Sequence, residues 1–507
     1  MRKQLTAQDI DQIRTRILQP IIANTGVHAW LVGGCVRDII HKNGINDIDV
    51  LCTDANILFN AINEYFCENN IDHSSYTMKN GHAAVISVKS KDIFGDFNIL
   101  PGYFDIEISQ LVYTNNPMEV ALEYDARSRD FVCNTWYMDI MGDGKPFTPL
   151  FKESSIYSAA DKYIYPCNGY KSISDNPLRI YRALDLMCRG YRPTKALTNV
   201  LMEYIQNTNS DINSYSYRPA CLQIVHKIFS RLASDDYSYK INDVIFAFNY
   251  FAEIGIWENM IHPVFGDMKQ CIHNNHFHHD SIWQHTMDTI RNISIYDVKE
   301  EHDIDIKKSP YDYWAAFLHD TGKPATMTKD YNGFTHFYGH QLESVNIAME
   351  ILKDSPLNKT GMDFVIKIIT HHMDTKLFGD DIIKYEQYKH IRKLQWKLGS
   401  DMIFHHFLIV NHADCMASER NGSQNTKNIV HAVKDMAFNL GEPAWEIFKI
   451  PITGNDIKAL LPDEPDMNIG KYIQQVYKVT FSHPEDYDTK EKCLHYISTL
   501  SKEWKNA

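Results

Sequence analysis

The spacing of apolar positions along this chain changes character near residue 176. Before that point, from Leu31 to about Ala126, short apolar runs alternate with segments of helical spacing. Ala83-Ala84-Val85-Ile86-Ser87-Val88 and Phe104-Asp105-Ile106-Glu107-Ile108 predict strands. Residues 5–24 predict an amphipathic helix ahead of the first strand. From Asn176 onward the period is helical: Ile180, Leu184 and Met187 share one face, as do Leu197, Val200, Leu201 and Ile205. Tyr217-Arg218-Pro219 leads into a further helix at Ala220-Cys221-Leu222-Gln223-Ile224-Val225, and little after it reads as strand. The pattern weakens from about Val430 to Ala507. No internal repeat or low-complexity tract interrupts it. The expected fold class is α+β: a small mixed sheet with helices at the N-terminal end, followed by all-helical regions.

Length and composition bound this picture. A chain of 507 residues accommodates three or four domains, and 44% hydrophobic residues supply their cores. The ten cysteines are scattered without a C-x-x-C pair, Met1-Arg2-Lys3-Gln4 leads into no apolar signal core, and no apolar run is long enough to span a bilayer. The expectation is a soluble protein of a reducing, cytoplasmic compartment with no membrane partner. A net charge of −13 argues against indiscriminate nucleic-acid binding. The charge is uneven, however. Residues 1–150 carry 12 Lys/Arg against 19 Asp/Glu, whereas residues 151–234 carry 11 against 6. The basic segment suits an RNA phosphate backbone; ordinary scatter in charge is the alternative.

Candidate chemistry begins at Leu31-Val32-Gly33-Gly34-Cys35-Val36-Arg37-Asp38. Paired glycines let backbone approach a polyphosphate without a Cβ clash. Nine residues after Asp38 comes Asp47-Ile48-Asp49 inside a short apolar run. Strand geometry turns both carboxylates to one face, where they suit two Mg²⁺ ions and an in-line attack on a nucleotide phosphate. A solvated Asp pair on an ordinary strand is the plain alternative. Glu107 is a candidate third carboxylate, with an exposed strand position as its alternative.

These residues resemble the head domain of class II tRNA nucleotidyltransferases (the CCA-adding enzymes) and of bacterial poly(A) polymerases. The resemblance continues at Ser128-Arg129-Asp130-Phe131-Val132-Cys133-Asn134, similar to the family's Arg-Arg-Asp-Phe-Thr-x-Asn segment. It recurs at Asn176-Pro177-Leu178-Arg179-Ile180-Tyr181-Arg182-Ala183, similar to its base-reading helix. The resemblance implies that Asp47 and Asp49 are catalytic and hold Mg²⁺, and that Gly33, Gly34 and Arg37 cradle the triphosphate. It implies that Arg129, Asp130 and Asn134 contact ribose and phosphate, and that Asn176, Arg179 and Arg182 read the base. The implied substrates are CTP, ATP and the 3′ acceptor end of tRNA, not DNA. The family has Asp where this chain has Asn176, a neutral group that can donate as well as accept.

The C-terminal half is rich in histidine. His285, His319-Asp320 in Leu318-His319-Asp320-Thr321-Gly322-Lys323-Pro324, His340, the pair His371-His372 and Asp414 follow in order across about 130 residues. Neutral imidazoles and carboxylates ligate Zn, Ni, Mn or Fe. This ordered set resembles the all-helical HD phosphohydrolase superfamily. The resemblance implies a main ion, Mn, Ni, Zn, Fe or Mg²⁺, held by His285, His319, Asp320 and Asp414, and a second position served by His340 and His371. His276, His278 and His279 are candidate entrance or phosphate contacts. The expected division is 1–150 nucleotidyltransferase head, 151–260 helical neck for base reading and RNA binding, 261–430 HD domain and 431–507 helical tail. The leading expectation is CCA addition to tRNA with a phosphohydrolase HD domain. The alternatives are a poly(A) polymerase or an A- or CC-adding enzyme, and an HD phosphodiesterase or phosphatase with an idle head.

Overall fold

The computed structural model describes residues 4–77, 83–89, 103–112, 117–150, 161–208, 214–234, 236, 238–273, 280–295, 307–374, 384–418, 433–435 and 449–506. The chain divides into two compact units. One comprises Met1–Ile224 with Tyr237–Asn259, the other Val225–Asp236 with Met260–Ala507.

The first unit is built on seven strands: β1 (Ala29–Val32), β2 (Asp47–Cys52), β3 (His73–Thr77), β4 (Ala83–Lys89), β5 (Tyr103–Gln110), β6 (Tyr137–Asp139) and β7 (Pro146–Phe147). Their order is β3-β4-β5-β2-β1-β6-β7, with β2 and β5 parallel and the other pairs antiparallel. The sheet is thus mixed, in keeping with the expected α+β class. Alternation along β2 sends Ile48, Val50 and Cys52 into one core, beneath the helices Gly33–Ile40 and Ala55–Glu68. It sends Asp47, Asp49 and Leu51 to the opposite face, where Leu51 packs with Trp30, Leu122 and Tyr137. The predicted helix over residues 5–24 forms in three consecutive pieces, Ala7–Ile13, a π-turn at Arg14–Leu18 and Gln19–Ala23. Thr6 and Asp9 close a capping box at its start, and the wide turn precedes Pro20, which has no N–H to give the preceding turn. Helices Arg179–Cys188 and Lys195–Thr208 follow.

The second unit centres on the helix Pro310–Leu318, whose Tyr313, Trp314, Ala315, Ala316, Phe317 and Leu318 are all buried. A helix apolar on every side belongs inside a bundle, and Ile282–Ile295, Lys359–His371 and Asp401–Met416 surround it. The chain's end has a small core of its own. Ile457, Tyr472, Val476, Cys493 and Ile497 meet between the helices Gly454–Leu460, Asp466–Ser482 and Lys490–Asn506. Among the described residues no helix is long and apolar enough to cross a membrane.

Candidate functional sites

The first site forms where β2 meets the Gly33–Ile40 helix. Gly33 has φ +67°, a left-handed conformation that a side chain would strain. A Cβ there would lie 3.0 Å from Arg129 Nη1 and 3.4 Å from Asp49 Oδ2; one on Gly34 would lie 3.6 Å from Asp49 Oδ2. The glycines therefore let a helix N-terminus, a carboxylate and a guanidinium converge, as anion binding at a helix start requires. Register adds further carboxylates: Asp49 pairs with Glu107 and Asp47 with Asp105 across the parallel β2–β5 pair, which turns all four to one face. Glu107 is thus beside Asp49. Asp105, accepting from Ser87 Oγ, went unnoticed in the sequence although it repeats the same two-residue spacing. Burial, assisted by Asp47, raises the Asp49 carboxyl above its ordinary pKa, while Arg129 and Arg37 oppose the rise. Half-buried Asp47 and Asp49, beside buried Asp105 and exposed Glu107, offer the oxygen ligands that divalent cations take.

The remaining head residues brace one another. Arg129 Nε donates to Asp125 Oδ2 at 2.8 Å and to the Tyr137 hydroxyl at 3.1 Å, its guanidinium lying 5.2 Å from the Tyr137 ring centroid. Asp125 also accepts from Tyr137. Arg37 is buried; it grips Asp38 and donates through Nη1 to Asn134 Oδ1 at 2.6 Å, and Asn134 Nδ2 donates to Asp130 Oδ1 at 2.8 Å. Arg179 reaches two backbone carbonyls, Ser172 O at 3.0 Å and Ser128 O at 2.7 Å. Asn176 is exposed, and its Oδ1 accepts from Leu178 N at 3.2 Å, a local bond in the turn before the Arg179–Cys188 helix.

The second site gathers the ends of five elements. His285 lies on Ile282–Ile295, and His319-Asp320 follow the buried helix Pro310–Leu318. His340 opens the helix His340–Leu352, His372 follows Lys359–His371, and Asp414 lies near the end of Asp401–Met416. Ligand atoms fall into two groups, His285, His319 and Asp414, then Asp320, His340 and His372. Asp320 spans them: Oδ2 is 3.2 Å from His319 Nε2 and 3.4 Å from His285 Nε2, and Oδ1 is 3.3 Å from His340 Nε2. His285 Nε2 is 2.8 Å from Asp414 Oδ1. One expectation is corrected. His372 takes the position foreseen for His371, which turns away to pair with Asp374 at 3.0 Å. Successive helical residues differ by about 100°, so only one of two adjacent histidines faces a given point, and spacing alone did not say which.

Backbone carbonyls orient the imidazoles. Nδ1 of His319, His340 and His372 meets Ala316 O, Phe337 O and Ile369 O at 2.8, 2.7 and 2.6 Å. With Nδ1 donating to a carbonyl, each Nε2 lone pair faces inward, as a metal-binding histidine requires. His340 and His372 then bring two Nε2 atoms to 3.0 Å, a separation bridged by a proton on one ring or by a metal ion beside both. Burial, with the neighbouring His319 charge, pushes the His372 imidazole down to about 3. Burial opposes charge on His319 as well, yet Asp320 and Asp414 hold that imidazole up at about 10, a positive charge that a bound cation would replace. The donor set therefore fits divalent metal. Gly322, in the Thr-Gly-Lys-Pro run, sits against the His340 helix so closely that a Cβ would lie 2.3 Å from His340 O. Lys323 Nζ contacts Asp320 Oδ2 at 2.6 Å and the buried His273 Nε2 at 3.1 Å, and His273 is a neighbour of the site that sequence spacing did not single out. His276, His278 and His279 lie outside the described residues.

These two sites coincide with two family matches: residues 29–148 match the poly A polymerase head domain and residues 282–417 match the HD domain. The chain therefore joins a nucleotidyltransferase head of the poly A polymerase kind to an HD domain. Its fold is that of CCA-adding enzymes. It is similar to a CCA-adding enzyme in its apo form I, with 13% identity and a TM-score of 0.56 over 97% of this chain and 93% of that one. It is equally similar to a CCA-adding enzyme in complex with ATP, at 13% identity and TM-score 0.56 over 97% and 95%. A tRNA nucleotidyltransferase complexed with a primer tRNA and an incoming ATP analogue matches at 13% identity and TM-score 0.51, over 83% of this chain and all of the other. No curated protein sequence matches the chain.

Proposed function

We propose that this protein is a template-independent tRNA nucleotidyltransferase that adds C and A to tRNA 3′ ends from CTP and ATP, and that its HD domain is a metal-dependent phosphohydrolase. The observation that carries the reading is the convergence of Asp47 and Asp49 with the Gly33-Gly34 helix start and the Arg129 guanidinium. In this reading Asp47 and Asp49, with Glu107 beside them, hold Mg²⁺. The bound ions would lower the pKa of the RNA 3′-hydroxyl and neutralise charge on the departing pyrophosphate. The helix start receives the triphosphate, and Arg129, braced by Asp125 and Tyr137, aims its free guanidinium nitrogen at the same opening. Arg179, Arg182 and Asn176 select the base: cytosine and adenine both offer an amino donor beside a ring acceptor. The basic segment 151–234 receives the tRNA acceptor end. The fourfold division at 150, 260 and 430 belongs to the same proposal.

In the HD domain, His285, His319, Asp320, His340, His372 and Asp414 hold the metal, and Lys323 faces the phosphate. A metal there would supply an activated water against a phosphate ester. The test is an incubation of tRNA lacking its CCA end with each nucleoside triphosphate, alone and mixed, with products sized on a gel. Two additions from CTP followed by one from ATP support the proposal. A long ladder from ATP alone would establish a poly(A) polymerase instead.

A further inference from the structure

A closed circuit of side chains begins and ends on the Arg179–Cys188 helix. Arg189, at the C-terminal cap of that helix, donates through Nη2 to Asp38 Oδ1 at 2.7 Å. Asp38 grips Arg37 with both oxygens, at 3.1 Å from Nε and 2.8 Å from Nη2. Arg37 Nη1 donates to Asn134 Oδ1 at 2.6 Å, and Asn134 Nδ2 donates to Asp130 Oδ1 at 2.8 Å. Asp130 Oδ2 faces Arg182 Nε at 3.2 Å, an ion pair without hydrogen-bond alignment, and Arg182 stands on the first turn of the helix where the circuit began. The four inner members, Arg37, Asp38, Asn134 and Asp130, are all buried.

Charge-assisted bonds of this kind are short and directional, and in a buried setting each link holds its neighbours in place. Arg37 and Asp38 belong to the helix whose first two residues are Gly33 and Gly34, beside Asp49. The circuit therefore locks the helix that carries the base-reading candidates to the helix that opens the phosphate site. Selection of a base by side chains depends on that separation, because a displacement of about 1 Å at a reacting centre costs on the order of a hundred-fold in rate. We propose that Asp38 and Arg189 are positioning residues for nucleotide selection. They touch no nucleotide; they fix where the Arg179–Cys188 helix stands relative to Asp47 and Asp49. The inference rests on the base-reading role proposed above for this helix.

The test compares Arg189→Ala, Arg189→Lys and Arg179→Ala on one tRNA primer. The readouts are the ratio of CTP and ATP to UTP and GTP incorporation, kcat and KM for tRNA, and a thermal melt to confirm folding. Arg189→Ala is expected to lower the ratio by about five-fold or more, the size of coupling typical of one network, and to lower kcat while KM for tRNA holds. Arg189→Lys, which keeps the charge on Asp38, should recover most of the loss. The double variant Arg189→Ala with Asp38→Asn should show no larger loss of ratio than the worse single, because both cut one circuit. A folded Arg189→Ala with an unmoved ratio, while Arg179→Ala lowers it, overturns the proposal; so do multiplicative losses in the double variant. If Arg179→Ala also leaves the ratio unmoved, the base-reading role itself falls and takes this inference with it. Should Arg189→Ala fail to fold, Arg189→Gln, which retains a donor without charge, carries the same comparison.

Discussion

Adjacent histidines 371 and 372 show how much one residue of helical phase decides. His372 Nε2 is 3.0 Å from His340 Nε2, whereas His371 is occupied by Asp374. His372→Ala is expected to lower bound metal at least about ten-fold, and His371→Ala to leave it nearly unchanged, measured as metal per protein after dialysis. Equal metal in both variants would remove His372 from the ligand set. Asn176 poses a similar question in the head. Its Oδ1 already accepts from Leu178 N, in the turn that leads into the Arg179–Cys188 helix. If the residue also reads the base, Asn176→Asp supplies a charged acceptor and sharpens CTP and ATP over UTP and GTP by roughly ten-fold, given about 1–3 kcal/mol for a well-placed base-edge contact. If that local bond is its whole role, misincorporation ratios for the four triphosphates stay as they were.

At the scale of elements, the α+β class and the early strands were legible because they follow from periodicity, while the candidate metal-binding set was read from its resemblance to the HD superfamily. Asp47 and Asp49 share a face by strand alternation alone, and His319-Asp320 follow an unbroken apolar helix. Pairing between strands was not legible. That β5 lies parallel to β2, with Glu107 in register with Asp49, is set by contacts nearly sixty residues apart that no local pattern records. The Asp38–Arg189 link, spanning 151 positions, was hidden for the same reason. That link has a pH signature. Burial works against the Asp38 charge, yet Arg37 and Arg189 outweigh it and hold the carboxyl below its usual range. A depressed folded-state pKa adds stability that is fully present above the unfolded value, about 3.9, and is lost as pH falls through the lower folded value. Urea midpoints of the native chain should therefore fall below about pH 4. Asp38→Asn should start lower at neutral pH and fall less steeply on acidification. An identical acid slope in both would show that the pair is not coupled to folding.

Among the described residues the two candidate sites share no side chain and lie one in each compact unit. Asp49→Asn should abolish nucleotide incorporation, a loss of at least about a thousand-fold, while metal-dependent phosphoesterase activity persists. Asp320→Asn should do the reverse. If either change abolishes both activities in a folded protein, the sites are not separate.

The helix Pro310–Leu318 has a consequence that belongs to time rather than to place. Every side chain from Asp312 to Leu318 is sealed from solvent, so its amide protons exchange only when the whole unit opens. His319 and Asp320 are the next two residues. Ligands mounted on the last segment to open cannot be shed by local breathing. Deuterium uptake at 313–318 and departure of a bound ion into excess chelator should then share one slow clock. An ion that left markedly faster than those amides exchanged would mean that the other ligands let go first.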